Sequence, residues 1–160
     1  MRTMTIEEME TMLTHAGWAT ICTVRDDGTP YAVEATYFRD GADIGFMINP
    51  RGTTATHIKK RPDVLLKLTT SDAAMHHWAG ISLFGKAEMV TEKNAMARGW
   101  DLLGEAMDTD YSKARDRFCS TPEKSPFLRV TVSESTGRCS ARKGASMNWP
   151  FLPSKTEAVG

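Results

Sequence analysis

The stretch Asn49-Pro-Arg-Gly-Thr-Thr-Ala-Thr-His-Ile-Lys-Lys-Arg-Pro-Asp-Val64 concentrates residues whose types and spacing suit ligand chemistry. It sets Arg51, Thr53, Thr54 and Thr56 around an expected helix start, directly after an expected strand. Helix N-termini carry free N–H donors and partial positive charge, so they accept phosphate. Arg51 can add a bidentate, charge-assisted contact, and threonine hydroxyls can complete the shell. The same residues also read as plain helix capping, and the local chemistry leaves both readings open.

Other chemistries have no footing in the pattern. There is no G-x-S-x-G elbow, H-E-x-x-H pair, phosphate loop ending in Gly-Lys-Ser/Thr, or G-x-G-x-x-G fingerprint. His76 and His77 are adjacent, and neighbours on a strand point to opposite faces, so they read as loop histidines and not a metal pair. Cys22, Cys119 and Cys139 are sparse and lack metal or disulfide spacing, which suits a reducing cytoplasm.

A chain of 160 residues supports one domain, expected over 1–153, with a frayed tail over 154–160. Twenty basic and twenty acidic residues cancel, so no overall field favours nucleic acid. Hydrophobic content of 41% with 25% charge is ordinary globular composition. No apolar run approaches the ~20 residues of a membrane span. The opening MRTMTIEEMETML is too acidic for a signal peptide. These features point to a cytoplasmic location, with no membrane or nucleic-acid partner.

The elements that must position the corner follow from periodicity. Thr5 and Glu8 form a capping-box pattern before a helix over 6–16, which Gly17 is placed to close in a left-handed conformation. Ala19–Arg25, Tyr31–Phe38 and Ile44–Ile48 read as three strands joined by two short turns, an antiparallel meander. A short helix over 53–60 stops before Pro62. Val64–Leu68 is a fourth strand, and a long strand runs from about Trp78 to Val90 with Gly85 marking a bulge or barrel corner. Residues 93–107 and 111–119 read as helical, and Leu128, Val130 and Val132 mark a last main strand. The expected fold is mainly β with peripheral helices: an antiparallel six-stranded barrel whose closure removes exposed edges.

Residues 17–92 resemble the FMN-binding split β-barrel superfamily, the pyridoxamine 5′-phosphate oxidase-like proteins. The matching pieces are Gly17–Val24, Asp27-Gly-Thr-Pro-Tyr-Ala-Val33, Ile44-Gly-Phe46, His57-Ile58 through Arg61-Pro-Asp-Val64, and Gly85-Lys-Ala-Glu88, in the family's order. Within the superfamily the pattern is most similar to the nitroimidazole-reductase-like and general-stress-like branches. The resemblance implies a split barrel, a homodimer and FMN in the grooves between subunits. It places the FMN phosphate at Arg51, Thr53 and Thr54, and the isoalloxazine near Glu34, Ala35, Thr36, Met47, Ile48 and Asn49. Trp78, Ser82 and Trp149 are the candidates for residues reaching the partner subunit's flavin. Relatives commonly carry Lys where Thr54 falls and His where Met47 falls, which leaves Arg51 as the candidate cation.

Plain structural readings stand beside these. Trp18 and Trp100 are expected in packing, Met47 as a gap filler, and Cys22 as a buried, inert thiol. Trp149 is a docking anchor or a stacking lid. Glu34 meets solvent, or contacts the flavin or an ion pair inside an interface, and Arg138, Arg142 and Lys143 form a solvated face or draw an anionic substrate. No side chain stands out as an acid or base, so no catalytic residue is assigned. The expected activity is flavin-mediated hydride or electron transfer, with NAD(P)H or another small molecule as reactant. A non-catalytic flavin or electron carrier is the alternative, as is a barrel that binds haem or another small ligand.

Overall fold

The computed structural model describes residues 1–145. Trp149 and the tail over 154–160 lie outside the described residues. In chain order the elements are β1 (Arg2–Thr3), α1 (Ile6–His15), β2 (Trp18–Val24), β3 (Pro30–Thr36), β4 (Phe38–Asp40) and β5 (Asp43–Phe46). Then come α2 (Thr53–Lys60), β6 (Asp63–Ser71), β7 (Trp78–Val90), α3 (Lys93–Met107), α4 (Ser112–Cys119), a 3-10 turn (Pro122–Lys124) and β8 (Phe127–Cys139).

Local chemistry sets the first helix. Thr5 accepts from the Glu8 amide at 3.2 Å, and the Glu8 carboxylate accepts from the Thr5 amide at 2.8 Å. Arg2 forks onto the same carboxylate at 2.6 and 2.7 Å and ties β1 to α1. Glu8→Ala removes the carboxylate half of the capping box and the fork, and keeps the backbone bond to the Thr5 hydroxyl. It is expected to cost about 1–2 kcal/mol in a urea titration; an unchanged midpoint would show that α1 is held by its apolar face alone. The helix does not close through a left-handed Gly17. Ala16 is the C-cap in extended geometry, because the chain passes directly into β2.

All strand pairs are antiparallel, in the order β3-β2-β6-β7-β8-β5-β4, with β1 added to β8. The sheet curls into a half-barrel. The expected three-strand meander does not form. The strand expected over 31–38 breaks at Tyr37: β3 pairs with β2 at one end of the sheet, and β4 pairs with β5 at the other. Tyr37 is buried, and its hydroxyl donates to the Leu13 carbonyl at 2.6 Å. That bond anchors the bend, so one short segment spans the gap between the two ends. The third expected strand stops at Phe46, leaving Met47 and Ile48 in the connection. Gly85 does mark a bulge: the β7–β8 register shifts between Phe84 and Gly85, and a Cβ at Gly85 would lie 2.3 Å from the Thr131 carbonyl oxygen.

Two apolar clusters fix the positions of the elements. Ile21, Leu66, Ile81, Leu83, Leu128 and Val130 fill the barrel, with Met12 of α1 set into its mouth. Phe38, Val90, Met96, Leu103, Cys119 and Phe127 join α3 and α4 to the β4–β5 end.

Residue parity decides what remains outside. In β2, Ala19, Ile21 and Thr23 point inward, so Trp18, Thr20 and Cys22 point outward. Trp18 is therefore 64% exposed, not packed as expected, and Cys22 is half-buried on the outer face and not in the core. Burial and the neighbouring Glu34 carboxylate push the Cys22 thiol up.

Candidate functional site

The corner between β5 and α2 is built by the backbone. The Asn49 side chain accepts from the Arg51 amide at 3.0 Å, and the Asn49 carbonyl accepts from the Gly52 amide at 2.9 Å. Gly52 is the N-cap of α2 and has no side chain to cap the first turn. That turn holds no acidic residue, while His57, Lys59 and Lys60 occupy the last turn, so the charge pattern supports the helix dipole. Thr53 is exposed and Thr54 buried. The Thr56 hydroxyl donates to the Gly52 carbonyl at 3.1 Å and is thus engaged within the helix.

The rest of α2 is fastened elsewhere. Buried His57 shares a 2.9 Å hydrogen bond between Nδ1 and Thr23 Oγ1, and Tyr31 meets its ring edge-on at 5.1 Å. Lys60 pairs with Asp26, and Arg61 donates to the Arg25 carbonyl at 3.0 Å. The helix is held by its middle and C-terminal end, which leaves the first-turn donors available to a ligand.

Two clefts divide the residues singled out by sequence. Met47, Ile48, Asn49 and Arg51 line one of about 500 Å³. Its opposite wall is Trp100, Phe118, Lys124, Ser125 and Pro126. The Trp100 and Phe118 rings are stacked, 5.3 Å between centroids with planes 7° apart. Glu34 lines the other cleft, of about 330 Å³, with Trp18, Thr20, Lys67 and Thr69.

Strand register places the remaining candidates. Glu34, Thr20, Lys67, Ser82 and Thr136 form one row across the outer face. In that row Lys67 Nζ donates to Ser82 at 3.2 Å. The adjacent row runs Ala32, Cys22, Leu65, Phe84 and Glu134. Thr36 lies opposite Trp18, whereas Ala35 packs against the barrel core. Trp78 is half-buried at the start of β7. The structure thus brings Met47, Ile48, Asn49 and Arg51 together, sets Thr53 and Thr54 on the adjoining turn, and places Glu34 and Ser82 on a different face.

Several cleft residues escaped the sequence reading. Trp100 and Phe118 reach the site through the second apolar cluster, and Lys124 through the 3-10 turn that follows α4, contacts that no local pattern encodes. Lys67 gave a signal, since it alternates outward between Leu66 and Leu68, as did Trp18 through the parity of Ala19 and Ile21. His76 and His77 lie in the β6–β7 connection and not on a strand. His77 Nδ1 meets Asp72 at 2.7 Å. Among the described residues no group of three potential ligands could hold a metal ion, and no helix is long and apolar enough to cross a membrane.

A family model described as pyridoxamine 5′-phosphate oxidase matches residues 5–139. No curated protein matches the chain in sequence. Among solved structures, a conserved hypothetical protein from Mycobacterium tuberculosis superposes with a TM-score of 0.77 at 20% identity, covering 96% of this chain and 94% of that one. An FAD-binding protein from Mesorhizobium loti gives 0.67 at 20% identity, covering 88% and 98%. A heme storage protein from Vibrio cholerae gives 0.64 at 13% identity, covering 82% and 92%. At these identities the likenesses show a shared fold.

Proposed function

Because the chain belongs to the pyridoxamine 5′-phosphate oxidase family, we propose that it is a flavoprotein that binds FMN at the β5–α2 corner and acts as an oxidoreductase. One observation carries the reading: Arg51 lines a cleft of about 500 Å³ and is followed directly in the chain by the uncapped first turn of α2. Donors of that kind suit a phosphate, and a cleft of that size with apolar walls suits a planar ring system. Arg51, Thr53 and Thr54 would hold the phosphate, with Met47, Ile48 and Asn49 beside the ring. Bound FMN would supply hydride or electron transfer, while the protein positions it and controls access. Neither cleft is lined by a histidine among the described residues, which favours flavin over haem. Three free cysteines agree with a cytoplasmic location.

A homodimer completes this reading. The outer face of β2, β6 and β7 carries exposed Val24 and Phe84 beside half-buried Cys22 and Leu65, an apolar surface suited to a second copy, with exposed Trp18 set apart from it by the polar row through Thr20, Lys67 and Ser82. Glu34, Thr36, Trp78 and Ser82 would meet the flavin or the partner there.

The direct test is a visible spectrum followed by titration of the apo-protein with FMN and riboflavin. FMN should bind and impart the yellow flavin absorbance; absence of FMN binding rejects the reading. Arg51→Ala should weaken FMN by about tenfold or more, the scale of a hydrogen bond to a charged group, and leave riboflavin unchanged. Equal loss for both ligands would remove the phosphate from Arg51. A flavin carrier without an organic substrate is the second reading, favoured by a Met47–Arg51 cleft that has no carboxylate, histidine or thiol among its described lining residues. Turnover with NAD(P)H and an acceptor separates the two.

A further inference from the structure

The cleft beside the corner has a second wall, from α3, α4 and the 3-10 turn, in which the flavin reading assigns no residue a role. Its described lining contains two cations, Arg51 and Lys124, and no acid. Neither side chain has a hydrogen-bond or ion-pair partner among the described residues, although nine ion pairs join other charged side chains of the molecule. Between them lie Met47, Pro126 and the stacked rings of Trp100 and Phe118. Trp100 keeps its place by ring packing, against Phe118 and against Tyr111 at 5.8 Å, since its buried Nε1 has no acceptor among the described residues. A firm aromatic wall facing unpaired positive charge matches a flat apolar body that carries negative charge.

We propose that this cleft binds a small aromatic carboxylate, with its ring against the Met47–Trp100–Phe118 wall and its carboxylate held by Lys124. Burying the ring supplies non-directional affinity, while the ammonium selects the charged ligand over a neutral one of the same shape. Arg51 assists when no flavin phosphate occupies it. The inference extends the flavin reading to an organic ligand but does not rest on it, because Lys124 and the aromatic wall belong to a different part of the chain from the α2 corner.

Calorimetric titration of the full chain with 2-naphthoate, its uncharged amide and acetate tests the assignment. Naphthoate should bind at least tenfold more tightly than either comparison ligand. Lys124→Gln should lose most of that advantage, and Lys124→Glu should abolish it. Lys124 is exposed in the 3-10 turn, so both variants should keep the wild-type melting temperature. Trp100→Phe retains a ring for stacking and should weaken naphthoate several-fold. Equal binding of the amide, or an unchanged affinity in Lys124→Glu, overturns the proposal. FMN titration of the same samples separates the two readings. Naphthoate binding without FMN binding removes the flavin assignment alone, and FMN binding without naphthoate binding removes this one alone.

Discussion

Alanine at Gly45 will cost about 3 kcal/mol of stability, the upper end of the usual overpacking penalty, and the loss will disappear when Phe38 is also shortened. A Cβ at Gly45 would stand 2.1 and 2.2 Å from two atoms of the Phe38 ring and 2.8 Å from a third. The ring has little room to retreat. It is 1% exposed and sits 5.6 Å from the Phe127 ring, and a Cβ at Gly99 would already lie 3.0 Å from it. Phe38→Ala alone should cost about 3–5 kcal/mol through the cavity it leaves. Adding Gly45→Ala to that variant should cost nothing more, so the double-mutant cycle should show a coupling of about 3 kcal/mol. Urea titrations of the four proteins measure it; additive losses would mean that the ring has another place to go. The effect also reaches the site, because β5 leads directly into Met47. Gly45→Ala should weaken flavin binding more than its stability loss alone predicts.

What the sequence disclosed and what it hid follow from the range of the forces involved. The bounds of α2, β7 and α3 were legible because they depend on neighbours: Pro62 after α2, strict alternation along β7, and a helical stripe through Leu103. The corner at Arg51–Thr54 was legible for the same reason, since a strand end, a glycine and a helix start are local events. The break at Tyr37 was not, because residues 31–38 alternate without interruption and the bend depends on a hydrogen bond to Leu13, far back in the chain. Trp18 was misplaced by treating its size as evidence of burial when the phase of Ala19 and Ile21 already set it outside. The second wall of the cleft was hidden altogether. Trp100 and Phe118 come from separate helices, and only tertiary packing brings their rings together. Glu34 and Arg51, joined in one expected site, line different clefts of a single chain.

Phe84→Lys should convert the proposed dimer into a monomer at micromolar concentration and reduce flavin affinity by about a hundredfold, equivalent to ~2.7 kcal/mol. Phe84 is 40% exposed in the outer-face row, with Leu65 on one side and Glu134 on the other. A twofold interface counts the substitution twice, and each lysine would carry a charge into the apolar patch between copies, where stripping it of water costs several kcal/mol even beside an acidic neighbour. Within one subunit the same lysine is well tolerated, because it lies opposite Glu134 in the ladder and gains a cross-strand partner of opposite charge. Loss of association with an unchanged far-UV spectrum would therefore report on the interface and not on folding. Sedimentation velocity and FMN titration on the same samples carry the test. A variant that remains dimeric would place the interface on another face. A monomer that still binds FMN tightly would show that the α2 corner and its cleft suffice without a partner.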